Sequence, residues 1–355
     1  MAKLVLWWGR SDVDYSRNRI VRSLFKSLGW QIVDFWPTLS GVGDLQARFA
    51  SLPAVDLVWV PCFRQRDIQA ASRWARKIQV PLVCDPLISA YDKQVLERKK
   101  YPVNSWRSKR LLRKESELFQ LADYLVADTE QHAKFFAETL GCPVEKLAVL
   151  PVGAEESLFI RQSLNKSINR PLNVLFYGSF LALQGPEIIA QAIRLYKGPA
   201  VEWRFIGRGP LLNKTQAILK NRQDVVFSDW VEYTKLPNEI ANADLCLGIF
   251  GETDKALRVI PNKFYQAVAC GRPIITCESK AYPVALREGT ESGIYWVPAG
   301  NAEALAAKVT ELAMQPELLV KAGAGAFNSY QRFFSESALR DELISLLANV
   351  TSSTS

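Results

Sequence analysis

Apolar residues fall along this chain in short runs, separated by longer stretches in which they recur every three or four positions. Runs near 3–8, 31–36, 57–62, 81–85, 124–127 and 147–151 predict buried strands, and amphipathic stretches near 16–28, 66–78, 105–121 and 130–139 predict the helices between them. A second series follows, with strands near 173–178, 202–207, 225–228, 244–249 and 273–277 and helices near 186–196, 211–220, 235–241, 262–269 and 302–314. Alternation of this kind is the pattern of a parallel sheet covered by helices on both faces. Two series predict an α/β protein of two doubly wound, Rossmann-like domains. The polar stretch Arg161–Arg170, rich in Ser and Asn, reads as their linker, which sets the domains at 1–168 and 169–334. A last helix near 335–349 lies beyond Pro316 and the Gly323/Gly325 region and can pack on either domain; Thr351–Ser355 reads as a frayed tail.

Composition narrows the class. The 355 residues are 48% apolar and 23% charged, enough to bury two ordinary cores and hard to reconcile with disorder. No apolar run reaches the roughly 18 residues of a spanning helix, and Met1–Trp8 is too short for a secretory leader and reads as the first strand. The six cysteines (Cys62, Cys84, Cys142, Cys246, Cys270, Cys277) form no CxxC pair and sit mostly in or beside apolar runs. A reduced, cytoplasmic compartment is expected, and structural zinc is not. His132 is the single histidine, which argues against an imidazole-rich metal site.

Charge is unevenly placed. The chain carries 44 Lys+Arg and 36 Asp+Glu, a net +8, and residues 1–170 hold 26 of those bases and 18 of those acids, so the remainder is balanced. Positions 93–114 contain nine bases (Lys93, Arg98, Lys99, Lys100, Arg107, Lys109, Arg110, Arg113, Lys114) against Glu97 alone. Trp106, Leu111 and Leu112 lie among them, in a pattern that suits either a helix on an anionic membrane or a solvated helix face with Trp106 turned inward. Nucleic acid is not expected as a partner, because the other bases are scattered and no recognition module is present.

In open α/β sheets, ligands bind at the carboxyl ends of strands, where helix N-termini accept anions. Three strand-to-helix junctions in the second half suit this chemistry. The first is Phe176-Tyr177-Gly178-Ser179, continuing to Gln184-Gly185-Pro186, where Gly178 permits close backbone approach and Pro186 suits a first helical turn. The second, Phe205-Ile206-Gly207-Arg208-Gly209-Pro210, is a GxGP turn without the third glycine and downstream acid of a dinucleotide fingerprint. The third runs from Lys255 through Arg258, Pro261, Asn262, Lys263 and Gln266 to Gly271-Arg272-Pro273. Its three cations, Lys255, Arg258 and Lys263, gather at a helix start and would hold a diphosphate; the plainer alternative is surface pairing with Glu252 and Asp254.

These motifs, in this order, resemble those of the GT-B glycosyltransferases of the retaining family 4 type. The resemblance covers nearly the whole chain: Leu150-Pro151-Val152-Gly153-Ala154 through Phe159 is similar to the end of the family's first domain. Tyr177-Gly178 through Gln184-Gly185 resembles its phosphate loop, Gly207–Pro210 its GxGP turn, and Asn262–Pro273 its donor helix. The chain departs from the family at the loop's Arg and Lys, which are Ser179 and Gln184 here, and at its paired glutamates, which fall on Arg258 and Gln266. The resemblance implies two domains facing a central cleft and transfer of sugar from a nucleotide diphosphate sugar to a glycan or lipid-linked acceptor. Retention, a role in cell-surface polysaccharide or glycoconjugate synthesis, and no cofactor or metal are implied as well. Gly178, Ser179, Gln184, Gly185, Gly207, Gly209, Lys255, Asn262 and Gln266 would bind the donor, with Lys263 and Arg258 stabilising the leaving diphosphate.

In the first half, Asp85 and Asp92 follow the fourth strand and could orient an acceptor hydroxyl, or serve only as turn and cap acids. Arg10, Tyr15, Arg17 and Asn18, in and after the loop that ends the first strand, and His132, after the fifth, fall on the acceptor side. Asp12-Val13-Asp14 spells a metal-binding triplet of another fold, but before a helix it reads as structural. A peripheral place on the inner face of a membrane fits residues 93–114. Two rival readings remain: a non-catalytic GT-B subunit that binds a partner or membrane, and a nucleotide-sugar epimerase.

Overall fold

The computed structural model describes residues 2–10, 14–164 and 170–352. They divide into two compact units, Met1–Val152 with Glu336–Ser355, and Gly153–Ser335.

In the first unit β1 (Leu4–Trp8), α1 (Ser16–Ser27), β2 (Gln31–Phe35), α2 (Gly43–Phe49), β3 (Leu57–Val60), α3 (Ile68–Ile78), β4 (Leu82–Cys84), α4 (Trp106–Phe119), β5 (Tyr124–Ala127), α5 (Glu130–Leu140) and β6 (Leu147–Val149) alternate. The strands form one parallel sheet in the order β2-β1-β3-β4-β5-β6. Leu57–Val60 and Leu82–Cys84 are buried at every position, as strands covered on both faces must be. Side-chain caps set two helix starts: Ser105 accepts the N–H of Ser108 at 3.2 Å, and Thr129 that of His132 at 3.0 Å. Leu6, Trp8, Val58, Cys84, Phe119 and Phe136 belong to the core.

The second unit follows the same rule with β7 (Leu172–Tyr177), α6 (Pro186–Leu195), β8 (Val201–Ile206), α7 (Leu212–Ile218), β9 (Val225–Ser228), α8 (Leu236–Ala241), β10 (Leu245–Leu247), α9 (Asn262–Ala269), β11 (Ile274–Cys277), α10 (Val284–Arg287), β12 (Ile294–Val297), α11 (Ala302–Met314) and α12 (Pro316–Phe333). Its sheet is parallel, in the order β12-β11-β10-β7-β8-β9. β7, the first strand in sequence, is central, so the connections reverse direction beside it. That switch point is where open sheets hold ligands.

The final helix, α13 (Glu336–Ser352), belongs with the first unit and packs on α1. Ser23 Oγ donates to Glu336 at 3.0 Å, and Tyr124 Oη to the Asn349 carbonyl at 3.1 Å.

Several elements differ from the sequence reading. The helices α2, α10 and α12 and the strand β12 are additional. Pro316, Gly323 and Gly325, read as a break, lie within the 18-residue α12. The proline occupies its first turn, and the glycines allow close packing: a Cβ on Gly323 would sit 2.6 Å from the Gly271 carbonyl, and one on Gly325 would overlap the Glu291 carbonyl. The expected boundary at 168/169 falls among residues 165–169, outside the described residues, as do Ser11, Asp12 and Val13 and the last three residues of the expected tail, whose Thr351 and Ser352 instead end the last helix. Residues 153–164 pack with the second unit, which moves the division to Val152/Gly153. Tyr233 Oη donates to Glu155 at 2.6 Å, and Tyr330 Oη to the Ala154 carbonyl at 3.2 Å. Arg272 donates to the Gln162 carbonyl at 2.7 Å.

Candidate active site

The carboxyl ends of β7 and β8 come together in a glycine cradle. Gly207 has φ +133°, and a Cβ there would overlap the Gly178 carbonyl, so only glycine lets these turns touch. A Cβ on Gly209 would lie 2.5 Å from the Phe180 nitrogen, and one on Gly178 2.8 Å from Gln184 Oε1. Gly185 packs against the backbone of Phe250 and Gly251, beyond β10. The two glycine motifs, separate in sequence, thus pack backbone to backbone, with the Gln184 side chain against Gly178. Ser179 is half-buried beside it, and Arg208, in the GxGP turn, pairs with the exposed Asp229.

The first turn of α9 supplies the cation. Lys263 is 4% exposed, and its Nζ donates to Gln184 Oε1 at 2.8 Å while lying 3.7 Å from the centroid of the Phe176 ring. Its backbone is held as well, since Tyr177 Oη donates to the Lys263 carbonyl at 2.8 Å. Burial lowers the ammonium well below the usual 10.5 for lysine. Burial likewise pushes the Tyr177 phenol well above its ordinary value. Lys255 is buried and Arg258 half-buried in the turn before α9, where the Arg258 N–H bonds the Lys255 carbonyl at 3.0 Å. Asn262 opens the helix, and Gln266, one turn on, is buried. Lys263, expected as one of three cations presented at a helix start, is therefore sheltered by an aromatic ring and an amide.

In the first unit, two of the predicted residues, Arg17 and Asp85, meet each other, and the others have different neighbours. Arg17 is fully buried; its Nε donates to Asp85 at 2.7 Å, and its Nη1 to the Leu150 and Pro151 carbonyls at 2.8 and 2.7 Å. Burial pushes the Asp85 carboxyl above its usual range against the pull of Arg17, and Asp128 adds to the push. His132 Nδ1 pairs with Asp128 at 2.6 Å, its ring 4.4 Å from that of Phe136. Asn18 accepts a weak bond from Cys62 Sγ at 3.2 Å, and Asp92 is buried with its N–H on Ser89 Oγ at 3.1 Å. Arg17 and Asp85, expected to meet an acceptor, instead form an internal pair that ties α1 and β4 to the end of the first domain. Arg10 is exposed, and Tyr15 is half-buried, its ring 4.9 Å from that of Phe63.

Sequence reasoning missed Glu115. Its carboxylate is buried on α4 and accepts from Ser89 Oγ at 2.5 Å and from the N–H groups of Ala90 and Tyr91 at 2.6 and 2.9 Å, fixing the segment after β4. Burial pushes this carboxyl up. The signal was available: Ser108, Leu112, Glu115 and Phe119 share one helical stripe, which puts Glu115 on the inner face. All six cysteines are free and buried.

Comparison with known proteins agrees with this fold. The family model described as glycosyl transferases group 1 matches residues 171–315. The chain is 27% identical over 221 residues to the putative colanic acid biosynthesis glycosyltransferase WcaL of Salmonella typhimurium, a match covering 60% of this chain and 53% of that protein. The chain spans about half the length of the relatives it matches by sequence. Among solved structures, HepE of Anabaena in complex with UDP superposes with a TM-score of 0.69 at 14% identity, covering 98% of this chain and all (100%) of that one. Sucrose-phosphate synthase of Thermosynechococcus elongatus superposes with a TM-score of 0.74 at 15% identity, covering 99% and 100%. With its glycine cradle at the switch point of a doubly wound sheet, this chain has the GT-B fold, and its residues 171–315 match the glycosyl transferases group 1 domain.

Proposed function

We propose that this chain is a glycosyltransferase that moves a sugar from a nucleotide diphosphate sugar to a glycan or lipid-linked acceptor, with retention and without a metal, in polysaccharide or glycoconjugate synthesis. The observation that carries the reading is the position of Lys263. Its Nζ lies against Gln184, the residue that stands where the resembling family carries its loop lysine, so a cation from α9 reaches the place vacated in the loop. WcaL, by its name a colanic acid biosynthesis glycosyltransferase, and HepE, solved with UDP, support the same substrate class.

In this mechanism the diphosphate lies over Gly178, Gly207 and Gly209, where backbone can approach it closely, and Lys263 turns from Gln184 to a phosphate oxygen. The bond from the anomeric carbon to the phosphate oxygen breaks and the bond to the acceptor oxygen forms. The acceptor proton passes to the departing diphosphate, whose charge Lys263 and Arg258 offset. Gln266 is left to hydrogen-bond the ribose, and the first unit binds the acceptor.

The same reading puts the protein in the cytoplasm, peripheral on the inner face of a membrane. No helix among the described residues is long and apolar enough to cross one, while eight of the nine cations in 93–114 are exposed.

Incubation with UDP-, GDP-, ADP- and dTDP-sugars, with and without lipid-linked acceptors, tests the proposal by nucleotide release. Release with one donor is expected. Binding of nucleotide without release under any condition would favour the non-catalytic subunit, and a changed sugar with no transfer would favour an epimerase.

A further inference from the structure

Five of the ten large apolar residues exposed among the described residues of the first unit lie in one short segment. Trp36, Leu39, Val42, Leu45 and Phe49 are all exposed, Phe49 at 90%, and they recur every three or four positions. Residues 40–49 are helical throughout, a single 3₁₀ turn running into α2, so Leu39, Val42, Leu45 and Phe49 form one outward ridge above the buried Gly43, Asp44 and Ala47. The ridge is firmly held. Arg73 of α3 grips Asp44 with two bonds, at 2.6 and 3.1 Å, and the Gly41 carbonyl at 2.7 Å; Arg64 reaches Ser40 Oγ at 3.3 Å. Hydrogen bonding to Arg73 holds the Asp44 carboxyl below its usual range.

The ridge lies on the same face of the sheet as the basic helix, one helix away. The steps β2→β3, β3→β4 and β4→β5 run in one direction across the sheet, and right-handed crossovers put α2, α3 and α4 on the same face, with α3 packed between the other two. That face is strongly positive. The α3 sequence contains Arg73, Arg76 and Lys77 and no acid. On α4, Arg107, Lys109, Arg110, Arg113 and Lys114 are exposed, whereas Glu115 is buried and Glu117 sits 3.8 Å from Arg113. Trp106, 69% exposed with Arg110 stacked 5.3 Å from its centroid, adds an amphipathic anchor.

We infer that the α2–α4 face docks on an anionic lipid bilayer, with the 36–49 ridge entering the boundary between headgroups and acyl chains and the α3 and α4 cations lying on lipid phosphates. An interfacial helix needs these two components side by side: apolar side chains that reach roughly 5–10 Å below the headgroups, and cations that stay at their level. Aliphatic residues at helical spacing beside such charge suit acyl chains, whereas a nucleic acid would use the cations alone. The inference builds on the reading of 93–114 as a lipid-facing surface and is independent of whether the second unit transfers sugar.

The test replaces Phe49 by cysteine and labels it with an environment-sensitive thiol dye, the six native cysteines being buried. Vesicles of equal parts phosphatidylglycerol and phosphatidylcholine should shift the dye emission to the blue, and lipids bearing a quencher in the acyl chain should dim it. Phosphatidylcholine alone should do neither. The variant Leu45→Ser/Phe49→Ser should partition into the anionic vesicles about tenfold more weakly. It should release nucleotide in a lipid-free donor assay at the wild-type rate, so loss of release in the wild type would count against the proposed activity and leave the vesicle result standing. An unshifted dye on protein that sediments with vesicles would show binding through charge alone and overturn the ridge's role. A change from dimer to monomer by light scattering in the same variant would assign the ridge to a second copy of the chain and also overturn it.

Discussion

Lys263 Nζ and Gln184 Oε1 are 2.8 Å apart although 79 residues separate them in the chain. One lies in the first turn of α9 and the other ends the loop after β7, and parallel pairing of β7 with β10 brings the two loops to the same edge of the sheet. The contact converts two modest motifs into one candidate diphosphate site.

Replacing Lys263 by methionine keeps the packing on Phe176 and removes the charge. Nucleotide diphosphate affinity should fall about ten- to a hundredfold, the worth of one charge-assisted hydrogen bond; unchanged affinity by calorimetry would sink the phosphate assignment. The wild type should also take up a proton on binding. Burial lowers the free amine well below 10.5, and a phosphate partner restores it, so uptake occurs at pH values between the lowered value and 10.5. The sign for stability follows from the same shift. In that window the unfolded amine holds a proton that the folded one lacks, so the lysine's contribution to stability rises with pH. Titrations in two buffers of different ionisation enthalpy should show the uptake, and Lys263→Met should abolish it.

Arg17→Met should destabilise the first unit by about 3–5 kcal/mol, because it leaves the buried Asp85 carboxylate without its partner. Arg17→Met with Asp85→Leu should recover much of that loss, since an apolar pair needs no compensation. Urea unfolding of the single and double variants measures both. Equal losses in the two would show that the bonds from Arg17 to the Leu150 and Pro151 carbonyls, rather than the ion pair, dominate.

Two glycines separate local strain from close approach. Gly29 has φ +77° with nothing within 4 Å of where a methyl would sit, so Gly29→Ala should cost only about 1 kcal/mol of backbone strain. Gly207→Ala meets the Gly178 carbonyl as well and should open the cradle, lowering the melting temperature further and abolishing nucleotide binding. If Gly207→Ala bound nucleotide normally, the cradle would not be the donor site.

Neutralising Lys109, Arg110, Arg113 and Lys114 together should reduce sedimentation with anionic vesicles and make what remains less sensitive to salt. Nucleotide affinity should be unaffected, because these side chains are exposed on the first unit. Stability should change by no more than roughly 0.5 kcal/mol per site, the usual range for exposed positions. Equal sedimentation of the variant and wild type would refute a role for α4 at the membrane.

Fold class was readable because buried parallel strands and amphipathic helices carry strong periodic signals, and β5, β9, α9 and α11 lie where the pattern predicted. Signals failed where packing overrode local chemistry. Gly323 and Gly325 look like helix breakers until the backbones of Gly271 and Glu291 are seen against α12. Asp85 and Arg17 look like cleft residues by their places at strand ends, and only the fold discloses that they satisfy each other.

By itself the sequence determined the two α/β series, the glycine motifs, the location of the excess charge and the residue types available for phosphate chemistry, because these are properties of short stretches of chain. Tertiary structure decided which residues meet. It buried Lys263 against Phe176 and Gln184, joined Arg17 to Asp85, returned α13 to the first unit, and set the apolar ridge of α2 on the same face as the cations of α3 and α4. Those outcomes depend on strand order and crossover hand, which bring together residues tens of positions apart and which no local pattern encodes.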